Sequence, residues 1–480
     1  MDGILGYFFS YDPAAPVSVV SLWFWMAMLV VLPAYFLICR RRAAMLSFVT
    51  LFSLFFAYKA GGWCVTVLLG KIVVDWLLVN WLQSLSVRRQ RRTLLAVAIT
   101  LSVATLAVFK YAGFAASLFA FDWSKVDWVV PVGISFYTFR SVSYLVEVYR
   151  GTVPPRVTLL EYAFYLSYFP ALMAGPIVRA DVFLGQLRLP VRITRRKLYS
   201  GLWLVLLGLL KKSAIADYLG QFNSLVFDNP SGYSGLENLL ALLGYGAQIY
   251  FDFSGYSDMA IGLGRMMGID LGVNFRTPYK SRNIGDFWRR WHISLSSWLR
   301  DYIYIPLGGS RNGRARMVMA LMVTMVVGGI WHGAGWGFIL WGFMHGLGLV
   351  VHKLFLARRK TDERRWRRWL SVAATFCFVT VLWPFFRASD FSQAVEMLRK
   401  IAVDVDFSFM LAFWAERSLW MVVFLLAYVL ILLPTSFGEK AEKGFIKLPW
   451  LVKLLLILVV VQTVLELGTE SVAPFIYANF

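Results

Sequence analysis

The chain has 480 residues, of which 59% are hydrophobic and only 16% are charged. A soluble domain carries roughly 25% charged residues, so this composition argues against a soluble globular enzyme and excludes a disordered chain. The formal net charge is +21, from 48 Lys and Arg against 27 Asp and Glu. The basic runs abut apolar runs, which favours the flanks of membrane spans over a nucleic-acid surface.

Apolar stretches long enough to cross a membrane recur along the chain. A spanning helix needs about 20 mostly apolar residues. Segment 60–85 is apolar except for Lys71 and Asp75, which are four residues apart and are expected to pair on one helix face. The pattern predicts an all-α polytopic membrane protein with about eleven or twelve transmembrane helices plus re-entrant or interfacial helices. Stretches free of Asp, Glu, Lys and Arg cover residues 13–39, 43–58, 93–109, 128–139, 162–178, 198–210, 238–251, 317–352, 370–386, 418–438 and 454–465.

Basic clusters predict the topology. Arg40, Arg41 and Arg42 follow the first apolar run, and the positive-inside rule places them in the cytoplasm with the N-terminus outside. The next basic cluster, at 88–92, comes two predicted spans later, where an even number of crossings has brought the chain back to the cytoplasm. The longest polar connections are 179–197, 266–316 and the basic 353–369, and none is long enough for a separate soluble domain. We therefore expect one integral-membrane domain over residues 1–480.

Cysteine usage gives no sign of a disulfide framework or of a metal site. Cys39, Cys64 and Cys377 lie within apolar stretches, and no CxxC pair occurs. We expect neither a disulfide scaffold nor a cysteine-based metal centre.

Charged residues interrupt the otherwise apolar segment 250–268. Asp252, Asp258 and Arg265 stand beside apolar runs, where a charge needs a partner or a cavity. The glycines of this segment have the wrong spacing for a dinucleotide-binding loop, and no strand precedes them.

A basic cluster precedes and enters the segment around His292. It consists of Arg276, Lys280, Arg282, Arg289, Arg290 and Arg300. Such residues can hold the phosphates of a nucleotide-bearing donor such as coenzyme A, although the residues alone favour the positive-inside explanation.

Read as a helix, the segment 287–302 is amphipathic and is expected to lie at the membrane interface or to dip into it. One side carries Trp288, His292, Leu295 and Leu299, and the other carries Arg289, Ser296 and Arg300. On this evidence a packed His292 is favoured over a catalytic one.

His332 is the most unusual of the four histidines, because it lies within a 36-residue run free of formal charge. An ionisable group in such a run is a functional hypothesis by default, and its flanking glycines weaken a helix. An imidazole there can act as a general base near neutral pH. A buried histidine that only hydrogen-bonds between helices explains the local sequence equally well.

Two other patterns are weaker. His345 and His352 share a helix face without a nearby acid or Cys, so core packing or an interfacial position is favoured. Asp404-Val405-Asp406 has the DxD pattern of nucleotide-sugar glycosyltransferases, which a single occurrence does not establish.

Four stretches together resemble the membrane-bound O-acyltransferase (MBOAT) family, and most closely its bacterial alginate O-acetyltransferase branch. They are Phe169–Arg179 (FPALMAGPIVR), Tyr250–Gly264 (YFDFSGYSDMAIGLG), Phe287–Gly309 and Gly328–Ala334 (GGIWHGA). The resemblance implies a ring of membrane helices around a central tunnel. It places a motif-rich core at about 131–352, with flanking membrane helices at 1–130 and 353–480.

The resemblance also implies residue roles. His332 matches the family's catalytic histidine, and His292 matches its second polar active-site position, which reverses the local preference for both. The implied reaction is acetyl transfer from cytoplasmic acetyl-CoA, with His332 as general base. His292 would position a substrate or His332, or polarise the carbonyl. The donor site is assigned to Arg289, Arg290, Arg282, Lys280, Trp288 and Trp291, and neither a metal nor a permanently bound cofactor is expected.

The implied acceptor is an exported polysaccharide such as alginate or acetylated cellulose, reached directly or through a periplasmic or membrane-anchored serine acetyltransferase. The implied location is the bacterial inner membrane, and no nucleic-acid partner is expected. Three alternatives remain open: D-alanyl transfer to teichoic acid, a transporter or flippase with inverted repeats, and a glycosyltransferase that needs Asp404, Asp406 and a divalent metal.

Overall fold

The computed structural model describes residues 2–119, 129–154, 156–356 and 364–467. Within these ranges the chain is helical and contains no β-strand, which confirms the predicted all-α class. The helices are α1 (Asp2–Phe9), α2 (Leu22–Ile38), α3 (Arg42–Gly61), α4 (Val65–Ser84), α5 (Arg88–Leu118), α6 (Ile134–Arg150), α7 (Leu159–Ser167), α8 (Phe169–Leu172), α9 (Ala180–Leu187), α10 (Arg195–Leu209), α11 (Tyr218–Asp228), α12 (Gly235–Met266), α13 (Ile284–Trp288), α14 (Ile293–Leu299), α15 (Arg314–His332), α16 (Trp336–Val351), α17 (Arg365–Arg387), α18 (Phe391–Val403), α19 (Met410–Glu416), α20 (Ser418–Leu432), α21 (Thr435–Lys447) and α22 (Trp450–Leu467).

Short helical turns of other types join some of these helices. The π-helical turns are Leu210–Asp217, Arg300–Tyr304 and His352–Leu356. The 3₁₀ turns are Gly62–Cys64, Pro230–Gly232, Pro278–Lys280 and Phe407–Phe409.

Local sequence signals explain several helix starts. Thr158 and Glu161 form a capping box at α7, because the Thr158 hydroxyl accepts from the Glu161 N–H at 3.2 Å and Glu161 accepts from the Thr158 N–H at 2.8 Å. Asn283 caps α13 and Asp390 caps α18 by accepting a backbone N–H three residues later. These side chains satisfy donors that a helix N-terminus leaves open.

In the part of the chain that the structure describes, seven helical stretches are long and apolar enough to cross a membrane, and eight if the bent pair Phe407–Glu416 and Ser418–Leu432 forms one span. They are Arg42–Ser84, Arg88–Ala116, Arg195–Asp228, Arg314–His332, Trp336–Phe355, Arg365–Arg387 and Trp450–Leu467. The protein is therefore an all-α polytopic membrane protein.

This number is lower than the predicted eleven or twelve for two structural reasons. Stretch 162–178 folds into the short helices α7 and α8, and 238–251 lies within the more polar α12. In addition, the 43 residues Arg42–Ser84 count as one stretch, although the 3₁₀ turn Gly62–Cys64 separates α3 from α4. Each of these two helices has 20 residues, about the length that one span needs.

The described residues form two compact units. One comprises residues up to 206 together with 256–272, and the other comprises 207–255 and 273–467. Part of the basic connection 353–369, namely 357–363, lies outside the described residues.

The interior of the first unit contains a hydrogen-bonded charge pair. Lys71 Nζ lies 2.6 Å from Asp75 Oδ1, which confirms the pairing expected from their spacing. Lys71 also donates to Ser102 at 2.6 Å and to Ser141 at 2.7 Å, and Tyr162 donates to the other Asp75 oxygen at 2.7 Å. Each ammonium proton thus has an acceptor, as a buried charge requires.

The second unit contains another buried charge pair next to a close helix contact. Asp252 of α12 lies 2.7 Å from Lys212 Nζ, and both side chains are buried. The sequence predicted that a charge at Asp252 needs a partner or a cavity, and Lys212 is such a partner. At Gly255, an added Cβ would lie 2.8 Å from the carbonyl oxygen of Gly208. Only glycine permits the backbone approach that brings these segments together.

Candidate active site

A helical hairpin of the second unit carries His332 at its tip. Helix α15 ends at His332, an extended break begins at Gly333, and α16 begins at Trp336. The two helices meet through glycines: a Cβ on Gly342 would lie 2.5 Å from the Met325 carbonyl oxygen and 3.1 Å from Gly329 Cα. The charge-free run of the sequence is therefore folded back on itself, with the histidine at the turn.

The His332 imidazole lies in an aromatic cage. Its side chain is buried, and its ring centre is 4.8 Å from Trp331, 5.1 Å from Trp341 and 5.0 Å from Phe386. All three contacts are edge-to-face, an arrangement that aromatic rings prefer. Hydrogen bonds and charges act more strongly in such an apolar setting than in water.

His292 is not part of a continuous amphipathic helix, so that prediction is wrong. Helix α13 ends at Trp288, α14 begins at Ile293, and His292 has a left-handed backbone with φ of 43°. A left-handed residue interrupts an α-helix. The expected two-sidedness nevertheless holds, because Trp288 and His292 are buried whereas Arg289 is exposed.

The His292 side chain is fully buried and held by a polar partner that the sequence did not reveal. Its Nδ1 lies 3.1 Å from Asn274 Oδ1, and its ring packs edge-on against Phe253 at 4.6 Å. Burial lowers the pKa of His292 to about 3, so the imidazole is neutral at physiological pH. Trp331 contacts both His292, at 6.3 Å, and His332, at 4.8 Å, so the two predicted histidines share one aromatic neighbour.

Part of the basic cluster lines a cavity of about 630 Å³. Its lining includes the side chains of Arg276, Arg289, Arg290 and Arg300 together with Trp288. Asp286 also lines this cavity and lies 3.0 Å from Arg290 and 3.7 Å from Arg289. The cationic excess suits a ligand with several negative charges.

A second cavity of about 340 Å³ adjoins the first. The two share Trp288, Arg289, Ser296 and Arg300. The remaining lining of the second cavity is mostly apolar and includes Leu299, Leu321, Met325 and Leu349. The pair thus offers a cationic compartment next to an apolar one.

Three of the predicted donor residues lie away from these cavities. Arg282 is exposed and lines neither cavity. Lys280 donates to the Leu433 carbonyl near the end of α20. Trp291 is buried and stacks on Phe287 at 5.5 Å. The structure thus brings Arg289, Arg290 and Trp288 to the cavities and leaves the others outside.

Aromatic contacts connect the cationic cavity with His332. From Trp288 the ring-to-ring distances are 5.2 Å to His345, then 4.6 Å from His345 to Trp341, and 5.1 Å from Trp341 to His332. His345 is fully buried, as expected of a packed histidine. Among the described residues its two ring nitrogens have no hydrogen-bond partner, nor has the indole nitrogen of Trp288 or Trp341.

The remaining candidates lie elsewhere on the second unit. Asp404 is half exposed and pairs with Lys400 at 2.8 Å. Asp406 accepts from the Ser408 N–H at 2.8 Å. His352 begins a π-helical turn and is partly exposed.

Comparison with known proteins identifies the family. The sequence profile of the membrane-bound O-acyltransferase family matches residues 154–388, which include all four motif stretches. A probable alginate O-acetylase of Pseudomonas putida is 37% identical over 419 residues, covering 82% of this chain and 84% of that protein. The chain belongs to the membrane-bound O-acyltransferase family.

Two further relatives show the range of this O-acyltransferase family. A peptidoglycan O-acetyltransferase of Helicobacter pylori is 34% identical over 362 residues, or 69% of each chain. A teichoic acid D-alanyltransferase of Streptococcus thermophilus is 31% identical over 271 residues, covering 51% of this chain and 65% of that protein. The protein is accordingly a multi-pass membrane enzyme that transfers an acyl group to oxygen.

Proposed function

We propose that this membrane-bound O-acyltransferase takes acetyl from cytoplasmic acetyl-CoA and delivers it for O-acetylation of an exported polysaccharide of the alginate type. The observation that carries the proposal is the line of contacts from the arginine-lined cavity, through Trp288 and the aromatic cluster, to His332. The names of the alginate and peptidoglycan relatives support acetyl as the transferred group.

The donor is assigned to the two adjoining cavities. Coenzyme A carries several phosphate charges, and guanidinium groups bind phosphate oxygens in a bidentate manner. Arg276, Arg289, Arg290 and Arg300 line the larger cavity and would hold those phosphates. The apolar second cavity and Trp288 would receive the less polar thioester-bearing arm. This assignment retains Arg289, Arg290 and Trp288 and replaces Arg282, Lys280 and Trp291.

The transfer step is assigned to His332. Its imidazole would remove the proton of an acceptor hydroxyl as the oxygen attacks the thioester carbonyl. The new C–O bond forms, the C–S bond breaks, and the imidazolium returns its proton to the departing thiolate. Holding donor and acceptor together would supply the proximity contribution. His292 would act on the same reacting groups, since both histidines contact Trp331.

The immediate acceptor is assigned to the glycan itself or to a serine of a periplasmic or membrane-anchored acetyltransferase. The basic clusters at 40–42 and 88–92 support an N-terminus on the outer, non-cytoplasmic face of the bacterial inner membrane.

A strain that depends on this chain for polysaccharide acetylation tests the proposal. Wild type, His332→Ala and the matched control His352→Ala are expressed at equal membrane levels, and mass spectrometry counts acetyl esters on the surface polysaccharide. His332→Ala is expected to lose them and His352→Ala to keep them. Wild-type acetylation by His332→Ala would refute the assignment.

D-alanyl transfer to teichoic acid is the second candidate, because a D-alanyltransferase aligns with half of the chain. The same mass spectra separate the two functions, since alanyl and acetyl esters differ in mass. Alanyl esters that depend on His332 would favour the second candidate.

A further inference from the structure

The backbone around His292 is tied to the segment that carries Asn274. The Ile293 N–H donates to the Asn274 carbonyl at 2.9 Å, and the Arg276 N–H donates to the Arg290 carbonyl at 2.9 Å. These two bonds lie on either side of His292 along the chain. They hold the Asn274 side chain beside the imidazole, and both residues are buried.

The orientation of the Asn274 amide follows from its other contacts. The Ser294 backbone N–H lies 3.2 Å from Asn274 Oδ1, and the Ser294 hydroxyl donates to the same oxygen at 2.8 Å. A backbone N–H can only donate. The amide oxygen must therefore face this side, because the reversed amide would set two donors against each other.

The amide oxygen in turn determines the proton position on His292. Nδ1 lies 3.1 Å from Asn274 Oδ1, which only accepts hydrogen bonds, so Nδ1 carries the proton. The hydroxyl of Ser294 is farther from Nδ1, at 3.4 Å, and already donates to the amide oxygen. A neutral imidazole has one N–H, so Nε2 presents a lone pair.

The surroundings favour the neutral ring. The side chains packed against it include the aromatic rings of Phe253, Phe275 and Trp331. Asn274 and Ser294, which lie 3.1 and 3.4 Å from Nδ1, are uncharged. His332 shares the neighbour Trp331 with this ring.

We infer that Asn274 is a positioning residue that holds His292 as the Nδ1-protonated neutral tautomer and so presents Nε2 as a hydrogen-bond acceptor. The inference rests on the proposed function, which places His292 at the reacting groups. It decides between the roles that the sequence left open for His292. A bare Nε2 can position a substrate or His332 by accepting a hydrogen bond from it, whereas polarising the thioester carbonyl would need an N–H donor. The proton of the attacking hydroxyl goes to His332 as the general base.

Two substitutions at Asn274 test the role in the full-length protein reconstituted with acetyl-CoA. Asn274→Leu removes the acceptor, and kcat is expected to fall about 10- to 100-fold, as when the partner orienting a functional histidine is lost, while KM for acetyl-CoA is unchanged. Asn274→Asp keeps an acceptor oxygen and is expected to recover most of that loss at pH 8. Ser294→Ala is the comparison variant: it removes only the hydroxyl donor, the Ser294 N–H still orients the amide, and kcat is expected to fall less than in Asn274→Leu. Wild-type kcat in Asn274→Leu, or no recovery in Asn274→Asp, would overturn the inference.

A second measurement needs no variant to remain active. The chain has four histidines, so ¹⁵N NMR of histidine-labelled wild type is tractable, with His292→Gln used to assign the His292 signals. The expected spectrum has a protonated Nδ1 and a bare Nε2, and the opposite tautomer would overturn the inference. A wild-type protein that cannot use acetyl-CoA would instead refute the proposed function and leave the tautomer test standing.

Discussion

The glycine contact within the hairpin makes a sharp prediction for Gly342→Ala. The new Cβ would lie 2.5 Å from the Met325 carbonyl oxygen, about 1 Å inside the separation of roughly 3.5 Å at which non-bonded atoms attract. That oxygen belongs to the α15 backbone, so the helices must separate. Overpacking of this kind costs about 1–3 kcal/mol of unfolding free energy. The new Cβ would also lie 3.1 Å from the Cα of Gly329, which precedes His332 by three residues, so separation of the helices also moves His332. A shift of about 1 Å at a reacting group can lower activity about 100-fold.

The matched control is Gly70→Ala in α4, where an added Cβ meets no atom within 4 Å. Both variants gain about 1 kcal/mol from the helix propensity of alanine, so their difference isolates the steric cost. Thermal unfolding in detergent and acetyl transfer per mole of folded protein provide the assays. If Gly342→Ala matched Gly70→Ala in both, the close hairpin contact would not position His332.

Three further outcomes follow from buried and charged groups. Lys71→Met leaves Asp75 buried without its cation and is expected to lower the unfolding free energy by about 3–5 kcal/mol. The double variant Lys71→Met, Asp75→Leu is expected to recover most of that lost stability in the same thermal assay. His345→Leu removes two buried ring nitrogens that cost about 1–3 kcal/mol each when unsatisfied, so the unfolding temperature should not fall, and a marked fall would reveal a partner. Arg290→Gln is expected to raise KM for acetyl-CoA about 10-fold, because a charge-assisted hydrogen bond to the donor is lost. Arg282→Gln, which lies outside the cavities, is expected to leave KM unchanged. Equal changes in KM for the two variants would contradict the donor assignment.

Local sequence signals predicted the weakened helix beside His332 and the pairing of Lys71 with Asp75, because both depend on nearby residues. The catalytic role of His332 came only from the family resemblance. The glycines after His332 end α15 there, and spacing of four residues aligns Lys71 and Asp75 on α4. Helix class and membrane insertion follow from composition in the same way.

Other features depend on contacts between distant residues, which periodicity cannot report. The turn at His292 is anchored by Asn274, 18 residues earlier, so the expected continuous helix does not form. Lys280 ends the 3₁₀ turn Pro278–Lys280 and Arg282 follows this turn, so neither residue lies on an α-helical face that could have indicated its direction. Trp341 was missed because its link to His332 arises only when α15 and α16 fold together.

The central claim is that His332 performs the proton transfer. Purified protein in sealed vesicles is given radiolabelled acetyl-CoA on one side and an acceptor polysaccharide, with its partner acetyltransferase where required, on the other. Release of the coenzyme A thiol and labelling across the membrane are measured for wild type, His332→Ala and His352→Ala. Loss of the general base is expected to slow both signals about 10²- to 10⁴-fold in His332→Ala and in neither control. Undiminished thiol release and labelling by folded His332→Ala would contradict the account.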